Sequence, residues 1–185
     1  MRITGGELCG RILAAPKGMA TRPTQDRVRE SLFAILGGRV QEASILDMFA
    51  GSGSLGIEAI SRGAAHCTFV EKSRIASEAL QKNIGSLGIA DKCKVILTDA
   101  VKNPAAWSIF APFDMAFIDP PYASGLYERA IELVRIPKMI SHMGIVVIER
   151  DKGICLPDEG DGLKLRRTER YGATLLDFYQ FEGEG

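Results

Sequence analysis

Histidine and paired cysteine are scarce in this sequence. Its 185 residues hold two histidines, His66 and His142, and four cysteines, Cys9, Cys67, Cys93 and Cys155, none in C-x-x-C spacing. That set offers no metal cage with ordinary ligand spacing, and the thiols read as buried or idle groups in a reducing compartment. Long apolar runs are missing as well: no stretch approaches the roughly 18 unbroken apolar residues of a membrane span. The opening MRITGGELCGR has no apolar segment behind its charged residues. The expectation is a cytoplasmic protein with no metal and no membrane partner. Net charge is absent too, since 23 Lys+Arg balance 23 Asp+Glu.

What is present suits one domain with a full core, 185 residues at 46% hydrophobic content. We read residues 1–185 as a single unit, with 1–40 a substrate-facing extension and 41–185 the core. The neutral total hides an asymmetry. Residues 1–40 carry Arg2, Arg11, Lys17, Arg22, Arg27, Arg29 and Arg39 against Glu7, Asp26 and Glu30, and a second basic cluster, KLRRTER, runs from Lys164 to Arg170. Such clusters suit a phosphate-facing side, although a solvated face gives the same pattern.

The first fourteen residues alternate imperfectly around Gly5, Gly6 and Gly10, which predicts a short hairpin. In RPTQDRVRESLFAIL, Val28, Leu32 and Ile35 recur at helical spacing ahead of Gly37–Gly38, predicting an amphipathic helix with a basic outer face. From residue 44 the apolar runs SILDMF, HCTFVE, KVILT, DMAFID and GIVVIER alternate with helical segments, the pattern of a parallel sheet covered on both sides. GLKLRRTERYGATLLDFYQF reads as two alternating strands meeting near Gly172, a closing antiparallel hairpin. The expected fold is therefore α/β, a doubly wound, mainly parallel, seven-stranded sheet with a small N-terminal hairpin and helix.

LDMFAGSGSLG, residues 46–56, sets Gly51, Ser52, Gly53 and Gly56 between the first of these strands and the next helix. Glycines let the backbone turn sharply and approach a ligand, and the helix start offers unpaired N–H groups. The pattern alone serves nicotinamide, flavin and S-adenosylmethionine (SAM) sites alike. Glu71 ends the second strand, where a carboxylate accepts from both hydroxyls of a ribose; a surface ion pair with Lys72 or Arg74 is the competing use. Asp47 precedes the glycine turn, where it would repel a pyrophosphate yet hold the ammonium of a methionine moiety. That favours SAM over NAD. Asp99 ends the third strand, placed for an adenine amino group with Ala100 as backbone donor, while an ordinary helix or loop cap is the competing use for it.

FIDPPY, residues 117–122, ends the fourth strand, beside the first in a doubly wound sheet and thus near the ligand crevice. Pro120 and Pro121 lack N–H donors and fix φ, so the turn presents acceptors and does not relax. An exocyclic amino group is a poor nucleophile because its lone pair is delocalised into the base. The Asp119 carboxylate and the Pro120 carbonyl can take its two hydrogens and favour the pyramidal geometry of attack on a sulfonium methyl group, with Tyr122 stacked on the base. A proline-stiffened loop with an Asp cap is the plain alternative.

The combination of DMFAGSGSLG, Glu71, Asp99 and DPPY resembles the amino-methyltransferases that act on nucleic acid. More narrowly, ITGGELCGRIL, RPTQDRVRESLF, LDMFAGSGSLGIEAISRGA and FIDPPY follow one another as in the bacterial RsmD-like family, which methylates guanine N2 in 16S ribosomal RNA. The likeness covers nearly the whole chain, including RYG near the closing hairpin. It implies a SAM-dependent methyltransferase fold and a ribosomal RNA partner, within the small subunit or its assembly intermediate, with a monomer as default. By that resemblance Asp47, Phe49, Gly51, Gly53 and Glu71 bind SAM, joined by Ser52 and Lys72, and Asp119 to Tyr122 hold the target amine. Arg11, Arg22, Arg27 and Arg29 are candidates for RNA phosphates, and Thr24 and Arg27 could instead face the methionine end of SAM. GELCGR departs from the many relatives that carry a basic or aromatic residue there, which predicts weaker phosphate contacts by the hairpin. A DNA adenine-N6 or cytosine-N4 methyltransferase would share DPPY, but would need room for a separate target-recognition domain. A dinucleotide-dependent oxidoreductase would share the glycine loop, and a non-catalytic RNA-binding assembly factor would share the basic face.

Overall fold

Every second residue of a strand faces the same side of its sheet, and the apolar runs from residue 44 onward serve both sides. A computed structural model describes residues 1–14, 23–121 and 125–182, apart from the side chains of residues 23–25. The basic helix is α1 (Pro23–Leu36). The five runs become β1 (Ser44–Asp47), β2 (His66–Glu71), β3 (Cys93–Leu97), β4 (Phe113–Ile118) and β5 (Ile140–Asp151). Between them lie α2 (Ser54–Ser61), α3 (Arg74–Leu87), α4 (Ala105–Ser108) and α5 (Leu126–Val134). These strands pair in parallel in the order β3-β2-β1-β4-β5.

The alternation splits the core in two. Ile45, Phe69, Met115, Phe117 and Val147 pack with α1, α2, α3 and the N-terminal segment. Leu46, Val70, Ala116, Ile118 and Ile148 pack with residues of α4 and α5. Helix ends follow local chemistry: the Ser73 hydroxyl accepts from the Ala76 N–H at 3.3 Å at the start of α3, and Gly88, at φ 71°, ends it.

After β5 the chain turns antiparallel. β7 (Leu163–Tyr171) and β8 (Thr174–Phe181) form the expected hairpin, and β8 lies between β5 and β7. The sheet has eight strands, not the seven expected, because Glu159–Gly160 adds a two-residue β6 beside β7. Asp161 and Gly162 make that turn with φ 47° and 80°, the two positive values that an Asp-Gly hairpin turn uses.

The N-terminal hairpin reduces to one antiparallel bridge, Arg2 to Ile12, with Ile3 and Leu13 buried. Its anchorage is polar. Glu58 of α2 is fully buried and accepts from the Thr4 N–H at 2.8 Å, the Thr4 hydroxyl at 2.7 Å, Arg29 Nε at 3.2 Å and Arg62 Nε at 2.8 Å. Gly6 passes so close to α2 that an added Cβ would sit 1.8 Å from the Ser61 carbonyl oxygen. Arg29 departs from expectation: it is 4% exposed and paired with Glu58 and Asp26, not part of an outward basic face. At 100° per residue it falls in the middle of the stripe made by Val28, Leu32, Phe33 and Leu36, so burial of that stripe carries the guanidinium inward to a carboxylate.

Glu58→Gln leaves Arg29 buried without its compensating charge. Urea unfolding should show a loss of about 3 kcal/mol, the scale for breaking a buried ion pair from one side. A midpoint equal to wild type would contradict this account of the anchor.

Candidate active site at the carboxyl ends of the strands

The parity that sorts the core also sorts charge. Two residues beyond Ile45, Phe69, Phe117 and Val147 stand Asp47, Glu71, Asp119 and Glu149, all at carboxyl ends of strands and on the α1–α3 side of the sheet. The winding reverses between β1 and β4, with β2 and β3 on one side and β5 on the other. That is the crevice where open α/β sheets hold ligands. No ion pair to any of these four carboxylates is made among the described residues.

Glu71 ties two loops together. Its Oε2 accepts from the Gly51 N–H at 2.7 Å and its Oε1 from the Ser73 N–H at 2.6 Å. Arg74 pairs instead with Glu78 at 3.3 Å, and Lys72 is exposed, so the surface ion pair weighed for Glu71 does not form among the described residues. Gly53 takes φ 85°, and a Cβ there would lie 2.3 Å from Leu80 Cδ1. At Gly56 a Cβ would meet the Phe69 ring at 2.3 Å, so this glycine sets how closely α2 lies on β2. Ser52 is buried, and its carbonyl accepts from Asn83 Nδ2 at 3.1 Å; the same amide bonds both backbone groups of Ala14. Asn83, which sequence reasoning passed over, thus couples the glycine loop to the N-terminal segment.

Asp47 lies beneath the loop, 3% exposed, with Oδ2 accepting from the Gly56 N–H at 3.0 Å. Burial raises its pKa to about 7 against the opposing Gly56 hydrogen bond, and Glu71 adds a repulsion in the same direction as burial. Phe49 is half-buried against the α4–α5 layer. The Asp99 Oδ1 caps the next turn, accepting from the N–H groups of Val101 and Lys102 at 3.1 Å each, so the cap reading of Asp99 is realised for one oxygen. The Ala100 carbonyl accepts from Trp107 Nε1 at 2.9 Å.

Asp119 follows β4 directly and reaches solvent, while Pro120 is buried and Pro121 exposed. With Glu149, Thr174, Ser54, Leu55 and Val28 it lines one recess. Solvent touches the carboxyl, yet protein fills most directions around it. That desolvation, then Glu149, then Asp47, holds it well above the usual carboxylate range. Glu149 is raised as well, by desolvation. The strand-end signal used for Glu71 and Asp119 was equally present in GIVVIER, where Glu149 was not singled out. A second recess, between Gln41, Asp114 and Met143, opens at the amino ends of the strands and holds none of the expected site residues.

Tyr122, Arg22 and the Thr24 side chain lie outside the described residues. Arg27 and Arg11 are exposed, and Arg11 Nη2 donates to the Ser86 carbonyl at 3.4 Å. Among the described residues no helix is long and apolar enough to cross a membrane, and no group of three His, Cys, Asp or Glu could hold a metal ion.

The profile described as "Conserved hypothetical protein 95" matches residues 1–180. The chain belongs to that family. Ribosomal RNA small subunit methyltransferase D of Escherichia coli (strain K12) is 36% identical over 185 residues, 100% of this chain and 92% of its own length. The solved structure of the Escherichia coli protein yhhF superposes with TM-score 0.88 at 34% identity, covering 100% of this chain and 99% of its own. An RNA methyltransferase from Salinibacter ruber, solved with S-adenosyl-L-homocysteine, shares the fold at TM-score 0.66 and 17% identity, with 90% and 95% covered. Family membership and the doubly wound methyltransferase fold, both expected from the motifs, are thereby borne out.

Two outcomes follow from the loop chemistry. Glu71→Ala should weaken S-adenosylhomocysteine binding at least about tenfold in calorimetry, since it removes a charged acceptor from the Gly51 and Ser73 N–H groups; unchanged affinity would contradict the bridging role. Asp47 has a folded pKa above its unfolded value, so its protonated form favours folding, and that contribution is lost as pH rises from about 4 through about 7. Asp47→Asn keeps an acceptor for Gly56 without the titration. Its stability relative to wild type should therefore climb across that window in urea unfolding, and a flat difference would refute the shift.

Proposed function

We propose that the protein is a SAM-dependent methyltransferase of ribosomal RNA, and that its target is N2 of a guanine in the small-subunit RNA. The observation that carries this reading is the placement of Asp119: solvent-open, at the carboxyl end of β4, across the crevice from the glycine loop.

The residues present fit SAM. Asp47 and Glu71, strand-end carboxylates with no ion-pair partner among the described residues, suit a ligand carrying a sulfonium and an ammonium. A Cβ at Gly51 would meet nothing within 4 Å, which leaves the loop free to be approached. Glu71 would hold the ribose hydroxyls, Asp99 the adenine amine through its other oxygen, and Asp47 would act through its charge from below the loop. When bound, SAM supplies an electrophilic methyl group whose leaving group is a neutral thioether.

The chain's own residues do the rest. Asp119 and the Pro120 carbonyl accept the two hydrogens of the amino group, draw its lone pair out of conjugation and aim it across the crevice. The base has to leave its stack to reach this recess, and Tyr122 is the residue assigned to hold its face. The methylated nitrogen then gives up one proton. Asp119 is a better acceptor for it than an ordinary carboxylate, because its surroundings raise its proton affinity. Arg11 and Arg27 are exposed for phosphate contacts; Arg29 is withdrawn from that role by its burial.

Labelled SAM, the protein and small ribosomal subunits lacking the modification should yield N2-methylguanosine by nucleoside mass spectrometry. Asp119→Ala should lower the rate about a thousandfold while the SAM dissociation constant stays within about threefold. Label on another nucleoside, or full activity in Asp119→Ala, would overturn the reading.

A further inference from the structure

One carboxylate suffices to hold an amino group, yet the recess contains two. Register pairs Ile118 with Ile148, so Asp119 and Glu149 are the next residues of adjacent parallel strands, about 4.8 Å apart between strand axes. Parity turns both to the same face, and both line the recess with Thr174 and Ser54. Neither carboxylate makes a hydrogen bond or ion pair among the described residues, whereas the buried carboxylates of Glu58 and Asp47 are bonded. Arg29 also lines the recess, but its guanidinium is taken by Glu58, Asp26 and the Arg2 carbonyl. Two acceptors side by side, with no partner and no cation between them among the described residues, form a site for a ligand edge that presents two adjacent donors.

We infer that Glu149 is the specificity-determining residue of the site, accepting the N1–H of guanine while Asp119 and the Pro120 carbonyl hold the N2 amino group. The assignment rests on the guanine reading above. The atom next to the reactive amine is what distinguishes the bases: guanine offers N–H there, whereas adenine and cytosine offer a ring-nitrogen lone pair. A carboxylate bonds the first and repels the second. Bringing two donors between Asp119 and Glu149 also relieves the repulsion between them. A site built to bond a donor rejects the analogue that lacks it far more strongly than a shape-matched pocket would.

The test uses 2-aminopurine, which keeps the N2 amino group but has a bare ring nitrogen at N1. Small-subunit RNA carrying guanine or 2-aminopurine at the methylated position, made by splinted ligation and reconstituted into subunits, is offered to wild type and to Glu149→Gln. Wild type should prefer guanine by about 100-fold in kcat/KM. Glu149→Gln, whose amide can donate as well as accept, should bring that ratio below about fivefold, with S-adenosylhomocysteine affinity as wild type. A wild-type preference under about tenfold overturns the inference without any variant. So does a folded Glu149→Gln that keeps the wild-type ratio, since loss of a merely structural group slows both substrates alike. If wild type methylates no guanine at all, the parent reading fails and this one with it.

Discussion

Desolvation of carboxylates that share one sheet face, with their mutual repulsion second, is the constraint around which this molecule is arranged. Strand alternation leaves Asp47, Glu71, Asp119 and Glu149 together at the carboxyl ends of β1, β2, β4 and β5, and no cation among the described residues pairs with them. The protein handles each differently. Glu71 accepts hydrogen bonds from backbone N–H groups, Asp47 is pushed toward the protonated form under the loop, and Asp119 and Glu149 stay open to the recess, both drawn toward protonation. A cationic ligand below and a donor-rich base above would complete the arrangement.

The remainder of the structure holds that crevice still. Glu58 gathers donors from the N-terminal segment, α1 and α2, while Asn83 fastens the glycine loop to residue 14. The N-terminal piece therefore works as a brace for the core, and one of its arginines serves the brace. On the far flank the hairpin of β7 and β8 ends at Thr174, which reaches the same recess. RYG, one of the family-like features of the sequence, lies in the same hairpin, with Tyr171 paired to Thr174.

Much of this was legible beforehand. Apolar runs alternating with helical segments identified all five parallel strands, and the spacing of Val28, Leu32 and Ile35 identified α1. Charge was harder to place. Arg29 looked like a surface base because its partner Glu58 is 29 residues away in sequence, and only packing brings them together. Asp99 could be read as cap or ligand until its oxygen was seen on Val101 and Lys102. Glu149 obeyed the same strand-end rule as Glu71, but with no proline or glycine motif after it nothing set it apart until register put it beside Asp119.

The most direct test of the account is a crystal structure with S-adenosylhomocysteine and an RNA fragment carrying the target guanine. The account predicts the guanine N2 within hydrogen-bonding reach of Asp119, roughly 2.6–3.2 Å, with the adenosine ribose on Glu71. A base bound outside the recess, or an Asp119 carboxylate turned away from it with the ribose still on Glu71, would contradict it.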